Sequence, residues 1–152
     1  MRLVIQRVSR AEVVSSGKTV ASIGLGFLVL CGVERNDAAT DAEYLAQKTA
    51  KLRIFNDDAG KMNLDLDAVH GDVLVVSQFT LLADCRKGNR PSYINAADPD
   101  TGKRLYEHYV TALRGLGARV QTGIFQADMK VDLVNDGPVT LVLDSRNRGA
   151  EA

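Results

Sequence analysis

Tryptophan is absent from this chain of 152 residues, aromatic side chains make up 5% of it, and histidine and cysteine occur twice each. So few aromatics leave no extended platform on which successive bases of a single strand could stack. His70 and His108 stand alone, with no H-x-x-x-H or C-x-x-C spacing nearby, so neither a zinc site nor a histidine-activated nucleophile is indicated. No metal and no other cofactor is expected. Cys31 and Cys85 are too far apart in sequence to suggest a disulfide framework, and Cys31 follows the apolar run Phe27-Leu28-Val29-Leu30, which makes it a small buried hydrophobe. Excess charge is also missing: Lys+Arg and Asp+Glu number 19 each. A protein that grips a long stretch of phosphate backbone is normally basic, so any nucleic-acid contact should be local. No apolar run approaches the roughly 20 residues that span a bilayer. The chain opens on an alternating strand instead of a charged leader and apolar h-region, so neither membrane association nor a secretory signal is expected, and the compartment is expected to be cytoplasmic.

What is present is an ordinary globular balance, 45% hydrophobic and 25% charged. A chain of this length can bury roughly two thirds of its unfolded surface without staples. One domain over residues 1–145 is expected, with a frayed polar tail at 146–152. From Arg2 to Val14 the residues alternate, Leu3 and Ile5 on one face and Val4 and Val8 on the other. Ser15-Ser16-Gly17-Lys18 then turns the chain into Thr19 to Ile23, a hairpin. Gly24-Leu25-Gly26 marks a bulge or turn before Phe27 to Val33, a run apolar enough for a strand buried on both faces. Thr40 to Glu43 has capping-box spacing, and Ala42, Leu45, Ala46, Thr49 and Leu52 give a helix over about 41–53 one apolar stripe. Residues 54–66 read as loop, and Val73 to Val76 as a short strand. Asp98-Pro99 starts a second helix whose apolar face is Leu105, Tyr109, Ala112, Leu113 and Leu116. Arg119 to Ile124 reads as a strand, and Met129 to Val134 with Val139 to Leu143 as a hairpin about Asn135-Asp136-Gly137-Pro138. Seven or eight strands and two helices, without strict alternation, imply an α+β fold. Its sheets should be mainly antiparallel, barrel-like or layered, with the helices packed on sheet faces.

Two segments carry more polarity than a scaffold needs. Ser77-Gln78-Phe79-Thr80-Leu81 puts two hydroxyls and an amide at the end of a buried strand, where polar groups either satisfy local backbone or open a site. Asn135-Asp136-Gly137-Pro138-Val139-Thr140 reads equally as a turn. A Gly-Pro bond adopts cis at a cost of only about 0.5–1 kcal/mol, however, and outward-aimed carbonyls, which only accept hydrogen bonds, would suit an ammonium group. Basic residues cluster at Arg86, Lys87 and Arg90 in the loop after the first segment, consistent with a solvated surface or with contact to phosphates. The carboxylates Asp57, Asp58, Asp65 and Asp67 fall in a polar loop and read as turn residues.

At these two segments the sequence closely resembles the D-aminoacyl-tRNA deacylase family. Further matching stretches are Ile5-Gln6-Arg7-Val8, Arg53-Ile54-Phe55, Gly60-Lys61-Met62-Asn63-Leu64 and Ala127-Asp128-Met129, so the likeness covers nearly the whole chain apart from the tail from Ser145. The resemblance implies hydrolysis of the ester between a D-amino acid and the 3′ end of its tRNA. It further implies a homodimer in which Gly137-Pro138, in cis, reaches the partner's site beside Ser77, Gln78, Phe79 and Thr80. The Gly137 and Pro138 carbonyls would hold the substrate's amino group and exclude an L side chain, Arg7 would brace that loop, and Met129 would help fix it through Arg7. Phe79 and Thr80 would face the terminal adenosine and the scissile ester. Glycine offers such a site nothing to exclude, so glycyl-tRNA should also be cleaved. The alternative is a non-catalytic module that binds an RNA 3′ end or a nucleotide.

Overall fold

The computed structural model describes residues 1–149. Its organising element is the long strand β1 (Arg2–Ser15), which runs antiparallel to three neighbours. One edge of β1 is taken first by β3 (Gly26–Gly32), opposite Arg2 to Val8, and then by β2 (Lys18–Ile23), opposite Ala11 to Ser15. The other edge is taken by β8 (Lys130–Asp144). Beyond β3 lie β6 (Asp72–Ser77) and β7 (Arg119–Thr122), both parallel to it in direction, so the order is β2-β1-β3-β6-β7 with β8 added on β1. The sheet curls until its edges nearly meet. There the Gln121 amide of β7 accepts from the Ser22 N–H of β2 at 2.9 Å and donates to the Ser22 carbonyl at 2.7 Å. The result is an α+β fold with a nearly closed, barrel-like sheet.

The period of two divides the side chains of this sheet between two cores. Leu3, Ile5, Phe27, Val29, Cys31, Val73 and Val75 face α1 (Ala39–Lys51) and α2 (Pro99–Gly115), burying Ala42, Leu45, Ala46, Leu105, Tyr106, Tyr109 and Leu113. Leu28, Leu74 and Val76 point the other way and pack with Val8, Ala11, Val13, Ala21 and Ile23. Each such buried aliphatic side chain contributes about 1.5–3 kcal/mol, and β3 and β6 supply them to both sides, as the continuous apolar run of β3 requires. The Tyr109 hydroxyl, fully buried, pairs with Thr49 Oγ1 at 2.9 Å and so ties the two helices together without an orphaned polar group.

Several local expectations give way. The second hairpin is not one: residues 130–144 form a single strand along β1, and the register jumps from Val8↔Asn135 to Gln6↔Thr140. Residues 136–139 stand out as a wide bulge opposite Arg7. Turns and bulges draw on the same Asn, Asp, Gly and Pro residues, so composition alone could not separate them. The stretch read as loop at 54–66 holds a small antiparallel pair, β4 (Phe55–Asn56) and β5 (Met62–Leu64). Helix α1 begins earlier than Thr40: Ala38 is its N-cap, and the Asp41 carboxylate, not Glu43, accepts from the cap N–H at 2.8 Å. Leu116 is exposed, because α2 ends at Gly115 and the chain turns away from the core. In β1 the alternation slips between Val8 and Arg10, so Val8, Ala11 and Val13 all reach the second core.

Against the fraying that its polarity implies from 146, the tail is tied down: the Arg146 guanidinium meets Glu34 at 2.7 Å and Arg148 meets Asp41 at 2.9 Å while lying over the Tyr44 ring. The remainder of that expectation, at 150–152, lies outside the described residues. No helix of the described residues is long and apolar enough to cross a membrane.

Candidate active site

Strands β3 and β6 run in parallel, and their pairing ends at Cys31 and Ser77. At that carboxyl end the chain leaves β6 through Gln78 into a 3₁₀ turn, Phe79–Leu82. The turn packs close over Gly32: a Cβ there would stand 2.5 Å from Leu82 Cδ2 and 2.9 Å from the Gln78 carbonyl oxygen. Glycine at 32 is therefore what lets the turn settle onto β3. Between the turn, the start of α2 and residues 125–129 opens a cleft of about 630 Å³. Ser77, Gln78 and Phe79 line it, as do Met129, Tyr106, Phe125 and Asp98. Thr80 stands just behind, its Oγ1 accepting from the Gln78 side-chain amide.

The chemistry available in this cleft is that of hydroxyls and backbone amides. Burial pushes the Cys31 thiol up to about 12, so it is no nucleophile at neutral pH. Burial also raises the Tyr106 phenol, whose O–H donates to the Val75 carbonyl at 3.0 Å. The backbone N–H of Thr101, donating to Asp98 as its helix cap, holds that carboxyl below its usual range and makes it a poor base. An amide N–H donates and cannot take up a proton, so Gln78 does not activate Thr80 either. Neither histidine lines the cleft; His108 pairs with Glu43 between the helices at 2.9 Å. By contrast, the N–H groups of Phe79 and Thr80, first in the 3₁₀ turn, have no backbone acceptor among the described residues. Two such donors side by side suit an oxygen that gains negative charge.

The second sequence segment lies elsewhere on the same chain. Asp136, Gly137 and Pro138 are exposed on the bulge of β8 and do not line the cleft. The Gly137–Pro138 peptide bond is cis, and Gly137 has φ +134°, a conformation that side-chain-bearing residues rarely adopt. A buried arginine holds the bulge. The Arg7 guanidinium donates to the Asp136 carbonyl at 2.9 Å, to the Ile54 carbonyl at 2.7 Å and to Asn56 Oδ1 at 3.3 Å. From the other side the Asn135 side-chain amide donates to the Arg7 and Val139 carbonyls at 3.1 and 3.0 Å. The Asp136, Arg7 and Val139 carbonyls at the bend are thus each held by a side-chain donor.

Of the residues singled out in the sequence, Ser77, Gln78, Phe79 and Thr80 come together, and Met129 joins them on the cleft wall. Arg7, Gly137 and Pro138 form a separate group: Arg7 bonds to Asp136, Ile54 and Asn56, and Met129 is not among its partners. Arg86, Lys87 and Arg90 sit on an exposed loop after the 3₁₀ turn, and Asp84 grips Arg86 at 2.6 and 2.9 Å. Sequence reasoning missed Tyr106 and Phe125, which meet at 5.9 Å on the cleft wall. Tyr106 does lie one position past the helical stripe's Leu105, but no periodicity marks Phe125.

The family model described as D-Tyr-tRNA(Tyr) deacylase matches residues 4–144, a span that holds both groups entire. The chain belongs to that family. Among similar proteins, the D-aminoacyl-tRNA deacylase of Geobacter sulfurreducens is 59% identical over 150 residues, 99% of each chain. That of Thermotoga petrophila is 57% identical over 145 residues, 95% of this chain and 97% of the other. A solved structure named c-Myc DNA Unwinding Element Binding Protein has a TM-score of 0.89 at 35% identity, covering 95% of this chain and 98% of that one. For a member of the D-Tyr-tRNA(Tyr) deacylase family, the separation of Arg7, Gly137 and Pro138 from the cleft in one chain is the feature that calls for explanation.

Proposed function

We propose that this chain is a D-aminoacyl-tRNA deacylase, which hydrolyses the ester joining a D-amino acid to the 3′ end of tRNA in the cytoplasm. The observation that carries the reading is a mismatch. The cleft gathers the Ser77 hydroxyl, the Gln78 amide and the Phe79 ring but no residue of the bulge, while the bulge presents its Gly-Pro segment outward under the brace of Arg7 and Asn135. A homodimer in which each bulge enters the partner's cleft would unite them. The carbonyls of Gly137 and Pro138 would then accept from the substrate's α-ammonium, and the walls around them would leave no room for an L side chain. Glycine escapes such exclusion, so glycyl-tRNA is a substrate in this account.

An aminoacyl ester is already activated, so no protein nucleophile is required. Water, oriented in the cleft with help from the neighbouring 2′-hydroxyl, adds to the ester carbonyl. The N–H groups of Phe79 and Thr80 stabilise the oxyanion, and removing one such donor typically costs about 2.7–4 kcal/mol. The intermediate collapses with cleavage of the bond to the ribose oxygen, releasing the amino acid and tRNA. Ser77 and Gln78 position the ester, and Thr80 serves by its backbone. Met129 shapes the wall, and the loop that carries Arg86, Lys87 and Arg90 meets phosphates of the tRNA end. The neutral net charge of the chain fits so small a footprint.

The test is hydrolysis of D-tyrosyl-, L-tyrosyl- and glycyl-tRNA by the purified protein with a metal chelator present, and with Thr80→Ala in parallel. The D and glycyl esters should be cleaved and the L ester spared, and the Thr80→Ala rate should stay within about tenfold of wild type, since no base activates that hydroxyl. A second reading, a non-catalytic module that binds an RNA 3′ end or a nucleotide, is favoured by the name of the solved structure that is 35% identical, a nucleic-acid-binding protein. Binding of tRNA without cleavage of any ester would establish it in place of the first.

A further inference from the structure

Of the eight Phe and Tyr residues, six are buried or half-buried. The two exposed ones touch each other: Phe79 and Tyr93, 58% and 38% exposed, meet edge to face with ring centroids 5.0 Å apart. Ile94, 65% exposed, follows Tyr93 directly in the chain. In a chain with so few aromatics, this gathering of exposed apolar area at one place marks a contact surface. Its position narrows the choice, because Phe79 is also a wall of the cleft, so the ledge forms the cleft's rim. A polymer whose end lies in the cleft has to leave across such a rim.

The adjoining loop supplies charge. Asp84 and Ser92 exchange backbone hydrogen bonds of 2.8 and 2.9 Å, closing a loop that carries Arg86, Lys87 and Arg90 and delivers the chain directly into Tyr93. Arg86 is neutralised by Asp84, which leaves Lys87 and Arg90 as the loop's exposed cations with no carboxylate partner among the described residues. Aromatic faces beside unpaired cations are what a single-stranded nucleic acid recognises, through base stacking and phosphate contact together. A protein partner would fit the apolar ledge, but it would also have to bring carboxylates to the unpaired cations, whereas every nucleotide brings a phosphate.

We propose that the ledge of Phe79, Tyr93 and Ile94 is a stacking subsite for the nucleotide preceding the terminal adenosine, with Lys87 and Arg90 on its flanking phosphates. This deepens the deacylase reading and rests on its placement of the tRNA end in the cleft. One aromatic ledge gives one stacked base, in keeping with the scarcity of aromatics elsewhere.

The experiment compares two D-tyrosyl esters: one of adenosine alone, the other of an oligoribonucleotide ending in CCA. The ratio of kcat/KM for the oligonucleotide to that for the nucleoside should fall about tenfold in Tyr93→Ala, the order expected for one stacked base, and be kept in Tyr93→Phe. Binding of the uncharged oligonucleotide, followed by fluorescence anisotropy, should weaken about as much, and Lys87→Ala with Arg90→Ala should flatten its salt dependence. An unchanged ratio with unchanged binding overturns the subsite. So does Tyr93→Ala splitting a wild-type dimer in sedimentation while slowing both esters alike, which makes the ledge a protein interface. Failure of the wild type to cleave either ester sinks the deacylase reading instead, and the anisotropy result then judges the ledge by itself.

Discussion

The cleft at Ser77 and the bulge at Gly137 are held in place by opposite means. The cleft floor is packed: β3 and β6 bury apolar side chains on both faces, and the 3₁₀ turn sits against Gly32 with no space to spare. The bulge leaves Asp136, Gly137 and Pro138 exposed, packs Val139 against the core, and is fixed by the hydrogen bonds of Arg7 and Asn135. Packing tolerates neither added nor missing volume, whereas a polar network fails when one member leaves its partners unsatisfied. Each region should therefore break under a different kind of substitution.

The largest effect is expected at the bulge. Arg7→Met keeps apolar bulk but strips the buried Ile54 carbonyl and the partly buried Asp136 carbonyl of their donor, and a buried acceptor left unsatisfied costs about 1–3 kcal/mol. Urea denaturation should show a loss of about 3 kcal/mol, and discrimination between D- and L-tyrosyl-tRNA should collapse along with the rate. Full stability in this variant would mean that the bulge is held by something other than the guanidinium. Gly32→Ala probes the cleft. Overpacking of this kind costs about 1–3 kcal/mol, and shifting the turn that carries Phe79 and Thr80 by even 1 Å can slow cleavage by up to about 100-fold. The expected signature is a lower kcat for D and glycyl esters alike with chirality preserved, and an unaltered kcat would show that the turn does not position the reacting groups.

The smallest effect concerns the clamp behind the cleft, where Arg2 donates to the Leu81 carbonyl of the turn at 2.8 Å and to Asp144 at 3.1 Å. Burial by itself would raise the Asp144 carboxyl, but the Arg146 N–H and guanidinium, with Arg2, outweigh it and hold it below its usual value. A carboxyl lowered in the folded state stabilises fully above the ordinary Asp value of about 4, and that contribution is lost as pH falls through the lowered one. The difference in urea midpoint between wild type and Asp144→Asn should thus shrink as pH drops below about 4. It should correspond to no more than about 1 kcal/mol, since the pair is partly exposed and screened. A difference constant with pH would show that the clamp acts through shape alone.

Much of this was legible along the chain. Alternation and length gave β1, β2 and β3, the stripes gave both helices, and Asp98-Pro99 marked the start of α2 where the Asp98 carboxylate accepts from Thr101 at 3.0 Å. The polar residues at the end of β6 stood out because a buried strand has no need of them. The bulge was legible as a special segment but not as a bulge, since whether Val139 to Leu143 folds back on 129–134 or continues along β1 depends on what β1 offers. Phe125, the small pair at 55–64 and the contact of Tyr93 with Phe79 had no local signal at all.

The division has a physical basis. Amphipathic period, caps and turn residues act within a few positions, and so the sequence by itself determined the kind of each long element, the family and the two segments that matter. Strand register, the curl of the sheet and the meeting of distant side chains depend on which surfaces remain to be buried once those elements exist. Only the tertiary structure could decide that Ser77 opens a cleft closed by Tyr106 and Phe125, that Arg7 turns inward to hold the bulge, and that the two segments stand apart within one chain.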